Sequence, residues 1–519
     1  MENMNLSQFV KPAPKLWGLL LIAISALLAS SCQEELAPVD PSLTYIPKET
    51  AMVSAIRLQQ LMDKAGFESL KGKAAYQEML AEAEEESAVL AKVLERPSTS
   101  GVDLSGNAYI SALLSDTTGM FVVMALPLAD EKAFGELIES MDTKAVPARN
   151  GFRIAGGLGE AAVAWNKEVA LVGLSQGGPD AKARLERLLD TPPANSVAEN
   201  KSLRKSLAGE SYDIMAWYSS DFILGNEAAL LSGKMLNYKE ADLRGQYITQ
   251  TITFEEGAIS SKIGLELSGP LKNDLDMFFR DEVATDFVSM APAGEPVFFM
   301  TAAFDMNGIN QLLIEKYSKG LVGELLEGYG VPTADVLEVL DGDIMLAAYD
   351  FEQMVFGAKL DDESLLMEHL AKAQEEQGLQ ELSPGRYRFL KVKTAAKKDT
   401  LGQILESGVN IDAQILIKDG LLFLSTTPEL LDRVERGEQG IRGQLANRAS
   451  GLVNKHIFTA LGTPLPLAEW DDDLKKFQSV DASADRDGLS FRVELDKTGQ
   501  NSLRQLIEAA ERKKTESEL

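Results

Sequence analysis

Short runs in which apolar side chains occupy every second position, each bounded by turn residues, recur along most of this chain and read as half-buried β-strands. Met120 to Leu126, Tyr247 to Phe254 and Ile259 to Leu267 are of this kind. Several are joined by tight turns, such as Glu255-Glu256-Gly257 and Asp487-Gly488. Strands so close in sequence must pair antiparallel, because a parallel crossover needs about a dozen residues or more. Between the strand runs lie helical patterns, the longest an amphipathic stretch from about Gly72 to Arg96. Helices of this kind bury their apolar stripe on a sheet face, so the expected class is α+β, with a mainly antiparallel sheet and helices packed on a face.

The order of these elements repeats. Ile46-Pro47 before the strand-like run Ala51 to Leu58 matches Ala291-Pro292 before Val297 to Phe304. Leu104-Ser105-Gly106-Asn107 opens one strand as Leu340-Asp341-Gly342-Asp343 opens another, and each leads on to a helix starting with acids, Asp130-Glu131 and Asp362-Glu363. Val169 to Leu174 with Arg184-Leu185-Glu186-Arg187 matches Leu421 to Leu424 with Arg433-Val434-Glu435-Arg436. These matches keep one order at separations of roughly 236 to 251 residues, far above the period of about 20–50 that marks solenoids. The pattern predicts a tandem duplication of two mixed units, residues 45–283 and 284–512, followed by a polar tail at 513–519.

The first 31 residues have a different character. Lys11 and Lys15 precede an uncharged stretch from Leu16 to Ala29, and small residues follow, which is the layout of a signal peptide. The stretch is shorter than the roughly 20 apolar residues a membrane span needs. Cys32 follows Ser30-Ser31 directly, as in a lipobox, where the thiol accepts a diacylglycerol and a fatty acid such as palmitate completes the anchor. Leu28 and Ala29 depart slightly from the usual order of that motif. Residues 32–44 then read as a lipidated Cys32 and an acidic, proline-broken tether.

Composition narrows the chemistry. Cys32 is the only cysteine of 519 residues and His369 and His456 are the only histidines, so thiolate metal sites, disulfides and imidazole-based zinc hydrolysis lack their ligands. No cofactor is expected. A formal charge of −28 repels phosphate backbones, which excludes nucleic acid and leaves the membrane to be reached through the lipid.

The lipobox, the acidic tether, Tyr45-Ile46-Pro47 before a strand and helix, and Gly101-Val102-Asp103-Leu104 before another strand together resemble an uncharacterised lipoprotein family of Bacteroidetes-type bacteria, the domain of unknown function numbered 4836. The resemblance implies no activity and no site residues. It does imply a compartment, the outer membrane with display on the cell surface, because Gln33-Glu34-Glu35 resembles the acidic export signal of such lipoproteins. The periplasmic face is the alternative.

Four features invite a chemical reading. Gly173-Leu174-Ser175-Gln176-Gly177 has the G-x-S-x-G form of a nucleophile elbow, which would make Ser175 the nucleophile of a serine hydrolase. The matching Leu424-Ser425-Thr426 has no flanking glycine, and an antiparallel sheet is not the setting of that elbow. Ser483-Ala484-Asp485-Arg486-Asp487-Gly488 with Glu494 has the offsets of a calcium loop, but also those of a polar hairpin turn. Trp217-Tyr218 and Trp165 could stack on sugar rings or fill a core. Gly156-Gly157-Leu158-Gly159 lacks the strand and acid of a dinucleotide cradle and reads as a hairpin loop. The acid runs Asp471-Asp472-Asp473 and Glu82 with Glu84-Glu85-Glu86 read as a helix start and a solvated helix face. No catalytic set is complete, so the expectation is a non-enzymatic binding or scaffold protein, with Trp217 and Tyr218 as candidate binding residues and another envelope protein or a polysaccharide as partner. A serine hydrolase using Ser175 and a periplasmic envelope-assembly factor are the alternatives.

Overall fold

A computed structural model describes residues 36–113, 120–158, 160–176, 180–209, 212–221, 238–312, 338–350, 352–375, 379–389, 413–463 and 476–517. Helices and a large antiparallel sheet make it an α+β protein. The N-terminal half contributes Met52–Arg57 (β1), Asn107–Leu113 (β2), Met120–Pro127 (β3), Val146–Pro147 (β4), Arg153–Leu158 (β5), Ala161–Trp165 (β6), Val169–Gln176 (β7), Ile214–Ser219 (β8), Tyr247–Glu255 (β9) and Ala258–Glu266 (β10). The C-terminal half contributes Phe298–Ala303 (β11), Leu340–Ala348 (β12), Met354–Leu360 (β13), Leu379–Ser383 (β14), Arg386–Phe389 (β15), Gln414–Lys418 (β16), Leu421–Ser425 (β17), Phe458–Gly462 (β18), Phe477–Asp485 (β19) and Gly488–Leu495 (β20).

These strands form a single ladder. Its order in the first half is β4-β5-β6-β7-β3-β2-β1-β8-β9-β10, and the second half runs β20-β19-β18-β11-β12-β13-β17-β16-β15-β14. Each strand of one half has its counterpart at the same place in the other. The halves join where β10 pairs antiparallel with β20, and the ladder is symmetric about the pair Ser261 and Phe491, with Ala258 opposite Glu494 at one end and Gly264 opposite Gly488 at the other. Two reciprocal hydrogen bonds close the seam, from Leu265 N to Asp487 O and from Leu495 N to Gly257 O, both 2.8 Å. The seam therefore has a local twofold relation. It also uses what would otherwise be two exposed edges, the liability that sheets ordinarily cover.

Helices pack on both faces. Ala181–Leu188 (α2) and Lys201–Ala208 (α3) cover one face of the first half, where Leu185, Leu188 and Leu203 join Val53, Phe121, Val123 and Trp217 in one core. Pro428–Glu435 (α5) and Gly443–Leu452 (α6) do the same for the second half, with Leu430, Leu431 and Leu445 against Phe299, Met345 and Phe423. On the opposite face, Glu131–Glu139 (α1) sets Phe134 and Ile138 on Val163, Trp165 and Ala170 near one end of the sheet. Glu363–Glu375 (α4) sets Leu370 beside Ile415 and Ile417 near the other. Asp130 caps its helix through Oδ1, which accepts from Lys132 N and Ala133 N.

The expected long helix from Gly72 to Arg96 is instead two, Ala74–Glu86 and Ala88–Glu95. Ser87 divides them because its backbone is extended and its side chain accepts from Leu90 N at 3.3 Å, starting a new helix. Cys32 and the leader lie outside the described residues, as do Asp471-Asp472-Asp473.

Candidate functional site

Side chains on a strand alternate between faces, and directly paired residues share one. The register can therefore be followed across the whole sheet. Leu174 lies opposite Val122, Val122 opposite Ala112, Ala112 opposite Met52, Met52 opposite Tyr218, Tyr218 opposite Ile248, and Ile248 opposite Leu265. The next row crosses the seam, from Gln250 to Ile263, Leu489, Ala484, Phe458 and Ala302. Both rows lie on the face against which α1 and α4 pack toward its two ends. From β7 across to β17, no position paired on this face is a charged residue, and its polar residues are Ser54, Gln176, Tyr218, Gln250 and Ser261.

In a chain with one residue in four charged, so large an uncharged area needs a reason. Six of the large apolar side chains that solvent reaches are here: Met120, Leu174, Tyr218, Ile248, Met354 and Val480, with Leu174 half exposed at 50%. Five methionines also belong to it, Met52, Met120, Met124, Met300 and Met354. Contiguous apolar patches above a few hundred Å² on a soluble surface mark sites of interaction.

The other face at the seam is the reverse. Thr249, Thr251 and Thr253 on β9 lie there with Lys262 on β10, Arg492 and Glu494 on β20, and Asp481 on β19. Arg492 Nη1 donates to Glu255 Oε2 at 2.7 Å and to Ser260 Oγ at 3.0 Å, tying β20 to the β9–β10 hairpin. Burial pushes the Glu255 carboxyl up, but hydrogen bonds from Ser260 and Arg492 and the Arg492 charge outweigh it and hold the group below the usual carboxylate range. The seam strands are thus amphipathic, polar toward solvent on one face and apolar on the other.

The residues singled out by sequence fall at different places in this frame. Trp217 is fully buried, donates from Nε1 to Ser202 Oγ at 3.0 Å and stacks on Tyr247 at 5.2 Å. Its ring is closed to any external sugar, so the binding role expected of it gives way to a core role. Tyr218, next in the strand, points the other way and lies in the uncharged face. Trp165 is also fully buried, edge-on to Phe134.

Ser175 sits inside β7 opposite Phe121, 7% exposed, with its N–H donating to Glu160 O at 3.1 Å. A nucleophile elbow needs its serine at an exposed turn, and this one is paired in a strand. Gly173 has a packing reason instead: a Cβ there would lie 2.7 Å from Phe121 Cζ and 2.9 Å from Leu185 Cγ. His456 is far off along the ladder, its Nδ1 2.9 Å from Asp485 Oδ1.

The calcium-loop offsets belong to a two-residue turn, Arg486-Asp487, since Asp485 pairs with Gly488 and Glu494 is well up β20 opposite Ala258. Arg486 points away from the turn, with Nε 2.9 Å from Asp281 Oδ1 and Nη2 donating to Phe279 O at 3.1 Å. Among the described residues no cluster of three or more carboxylates, histidines or cysteines could hold a metal ion. Gly156 and Gly157 lie within β5, in the hairpin that pairs it with β6.

Sequence reasoning missed the uncharged face itself. The alternation in Ile259-Ser260-Ser261-Lys262-Ile263-Gly264-Leu265-Glu266 carried the signal, but only the register shows that its apolar side joins that of the wings.

These features define a class: an α+β protein built on one duplicated antiparallel sheet, with an uncharged face and no assembled catalytic set among the described residues. The chain belongs to the family of the domain of unknown function DUF4836, whose model matches residues 44–357, from before β1 through most of β13. None of the curated proteins matches it. Among solved structures, crystal form I of TP0453 is similar at 11% identity and a TM-score of 0.25, covering 46% of this chain and 84% of that one. Crystal form III of TP0453 gives 11% and 0.26, covering 48% and 90%. At these scores the likeness carries no argument.

Proposed function

We propose that this chain is a lipid-anchored protein of the outer membrane, held through Cys32, that acts by binding rather than by catalysis. The observation that carries the binding reading is the uncharged sheet face. Evolution of an ordinary soluble surface scatters charges over a solvated strand face, as the opposite side of the seam shows with Lys262, Arg492, Glu494 and Asp481. Holding that pattern off one face across many strands suits contact with an apolar partner. The burial of Trp217 removes the main support for a polysaccharide and leaves Tyr218 as the one of the two aromatic residues on the binding side.

Anchoring and function are tested together in cells. Radiolabelled palmitate should enter the wild-type chain and not a Cys32→Ser variant, and protease added to intact cells should digest the protein while an inner-face lipoprotein survives. Absence of label in the wild type overturns the anchor. Protection until the outer membrane is opened overturns surface display and favours a role in envelope assembly.

A further inference from the structure

We infer that the occupant of the uncharged sheet face is the hydrocarbon chain of a single lipid molecule, an inference that rests on the binding reading above. Three observations fit this occupant, and the first sets it against a protein. The backbone N–H and C=O groups of the face are spent in the ladders, and its polar residues are few, Ser54, Gln176, Tyr218, Gln250 and Ser261. A protein interface carries about one hydrogen bond per 100–200 Å² and a polar rim, which this face cannot supply. A hydrocarbon chain needs none.

The second observation is length. The row from Leu174 to Leu265 makes six steps from strand to strand, about 29 Å at the usual spacing of about 4.8 Å. One leaflet of a bilayer is about 15 Å deep in hydrocarbon, so one row accommodates an extended chain with room to spare. The third is the methionine content. Unbranched, polarizable side chains adapt to an occupant without fixed shape, and methionines are concentrated at surfaces that accept varied apolar ligands.

The helices α1 and α4 stand on this face toward its two ends, with Phe134 and Leu370 among their buried side chains. Standing out from the sheet at both ends, they hold a flat bilayer away from the strands between them, which a single molecule can still reach.

The test uses the full chain carrying Cys32→Ser, so that its own lipid cannot occupy the face, with cis-parinaric acid as probe, a fatty acid whose emission rises in apolar surroundings. Saturable binding is expected. Leu174→Glu and Ile248→Glu put charges at exposed places in one row and should weaken binding by about tenfold or more, since a charge buried against hydrocarbon is left unpaired. Leu382→Glu, at an exposed apolar residue of β14 outside the rows, should leave binding unchanged. Circular dichroism confirms that each variant is folded. A folded chain that fails to bind the probe, or binds it equally well in all variants, overturns the inference; so does flotation of the Cys32→Ser chain with phosphatidylethanolamine vesicles in place of binding lipid monomers.

A photoreactive benzoylphenylalanine at Tyr218 in cells separates this failure from that of the underlying reading. A lipid adduct is expected. An adduct with protein overturns the hydrocarbon inference alone, and the lack of any adduct together with no probe binding overturns both.

Discussion

Replacing Gly173 with alanine distinguishes a packing glycine from an elbow glycine. The added Cβ would meet Phe121 Cζ at 2.7 Å and Leu185 Cγ at 2.9 Å, where carbon atoms prefer about 3.5–4.0 Å. Both neighbours are buried in the main core of the first half, Leu185 at 0% and Phe121 at 2% exposure, so neither can swing into solvent. Overpacking of this kind costs about 1–3 kcal/mol. At about 1.4 kcal/mol per factor of ten, that raises the unfolded fraction by about 5- to 150-fold. Urea denaturation of Gly173→Ala should show the loss. Phe121→Leu removes the ring atom in closest contact, so the double variant Gly173→Ala with Phe121→Leu should be less destabilised than the two single effects summed, by about 0.5–3 kcal/mol. Strict additivity, or a Gly173→Ala variant as stable as the wild type, would refute the packing explanation and return the glycine to a role at Ser175.

Three further outcomes follow from the structure. Trp217→Ala should cost about 3–5 kcal/mol in thermal or chemical denaturation, as expected for a buried indole, whereas Tyr218→Ala on the opposite face should change stability little and lipid binding more. Asp343 accepts from Ala284 N at 3.0 Å, from Thr285 N and Oγ1 at 2.7 Å each, and from Arg280, which keeps Asp341 as a partner, so Asp343→Ala strands two amides and a hydroxyl and should lose about 1–3 kcal/mol by the same measurement. Because the Glu255 carboxyl is held below its unfolded value, its contribution is present above that unfolded value near 4.5 and disappears as pH falls through the lower folded value. Denaturation midpoints of wild type and Glu255→Gln should therefore converge as pH falls through this acid range and differ at neutral pH, by a small amount, since the pair is more than a third exposed and screened by solvent.

Much of the fold was legible because its signals are local. Tight turns such as Glu256-Gly257 dictate antiparallel pairs, and acids at Asp130-Glu131 and Asp362-Glu363 announce helix starts. The joining of both halves into one sheet was not legible, because the β10–β20 pairing brings together segments some 230 residues apart and depends on edge complementarity, which no short window contains. The orientation of Trp217 was hidden for another reason. In Ile214-Met215-Ala216-Trp217-Tyr218 both faces are apolar, so period two gives no inward side. Ser175 misled because G-x-S-x-G also satisfies a strand that needs one glycine under an aromatic ring. The candidate site shared this difficulty: its individual residues look like core, and only their registration across strands exposes a face without charge.

The central claim is that this face is occupied in the living envelope. With Cys32 the sole native cysteine, single cysteines can be placed at Leu174, Tyr218 and Val480 on the face, and at Leu382 away from it, and their reaction with a maleimide followed. The account predicts that the three face positions react slowly in native membranes and quickly once the folded protein is purified and stripped of lipid, while Leu382→Cys reacts alike in both. Equal reactivity of the face positions in the two states would contradict it.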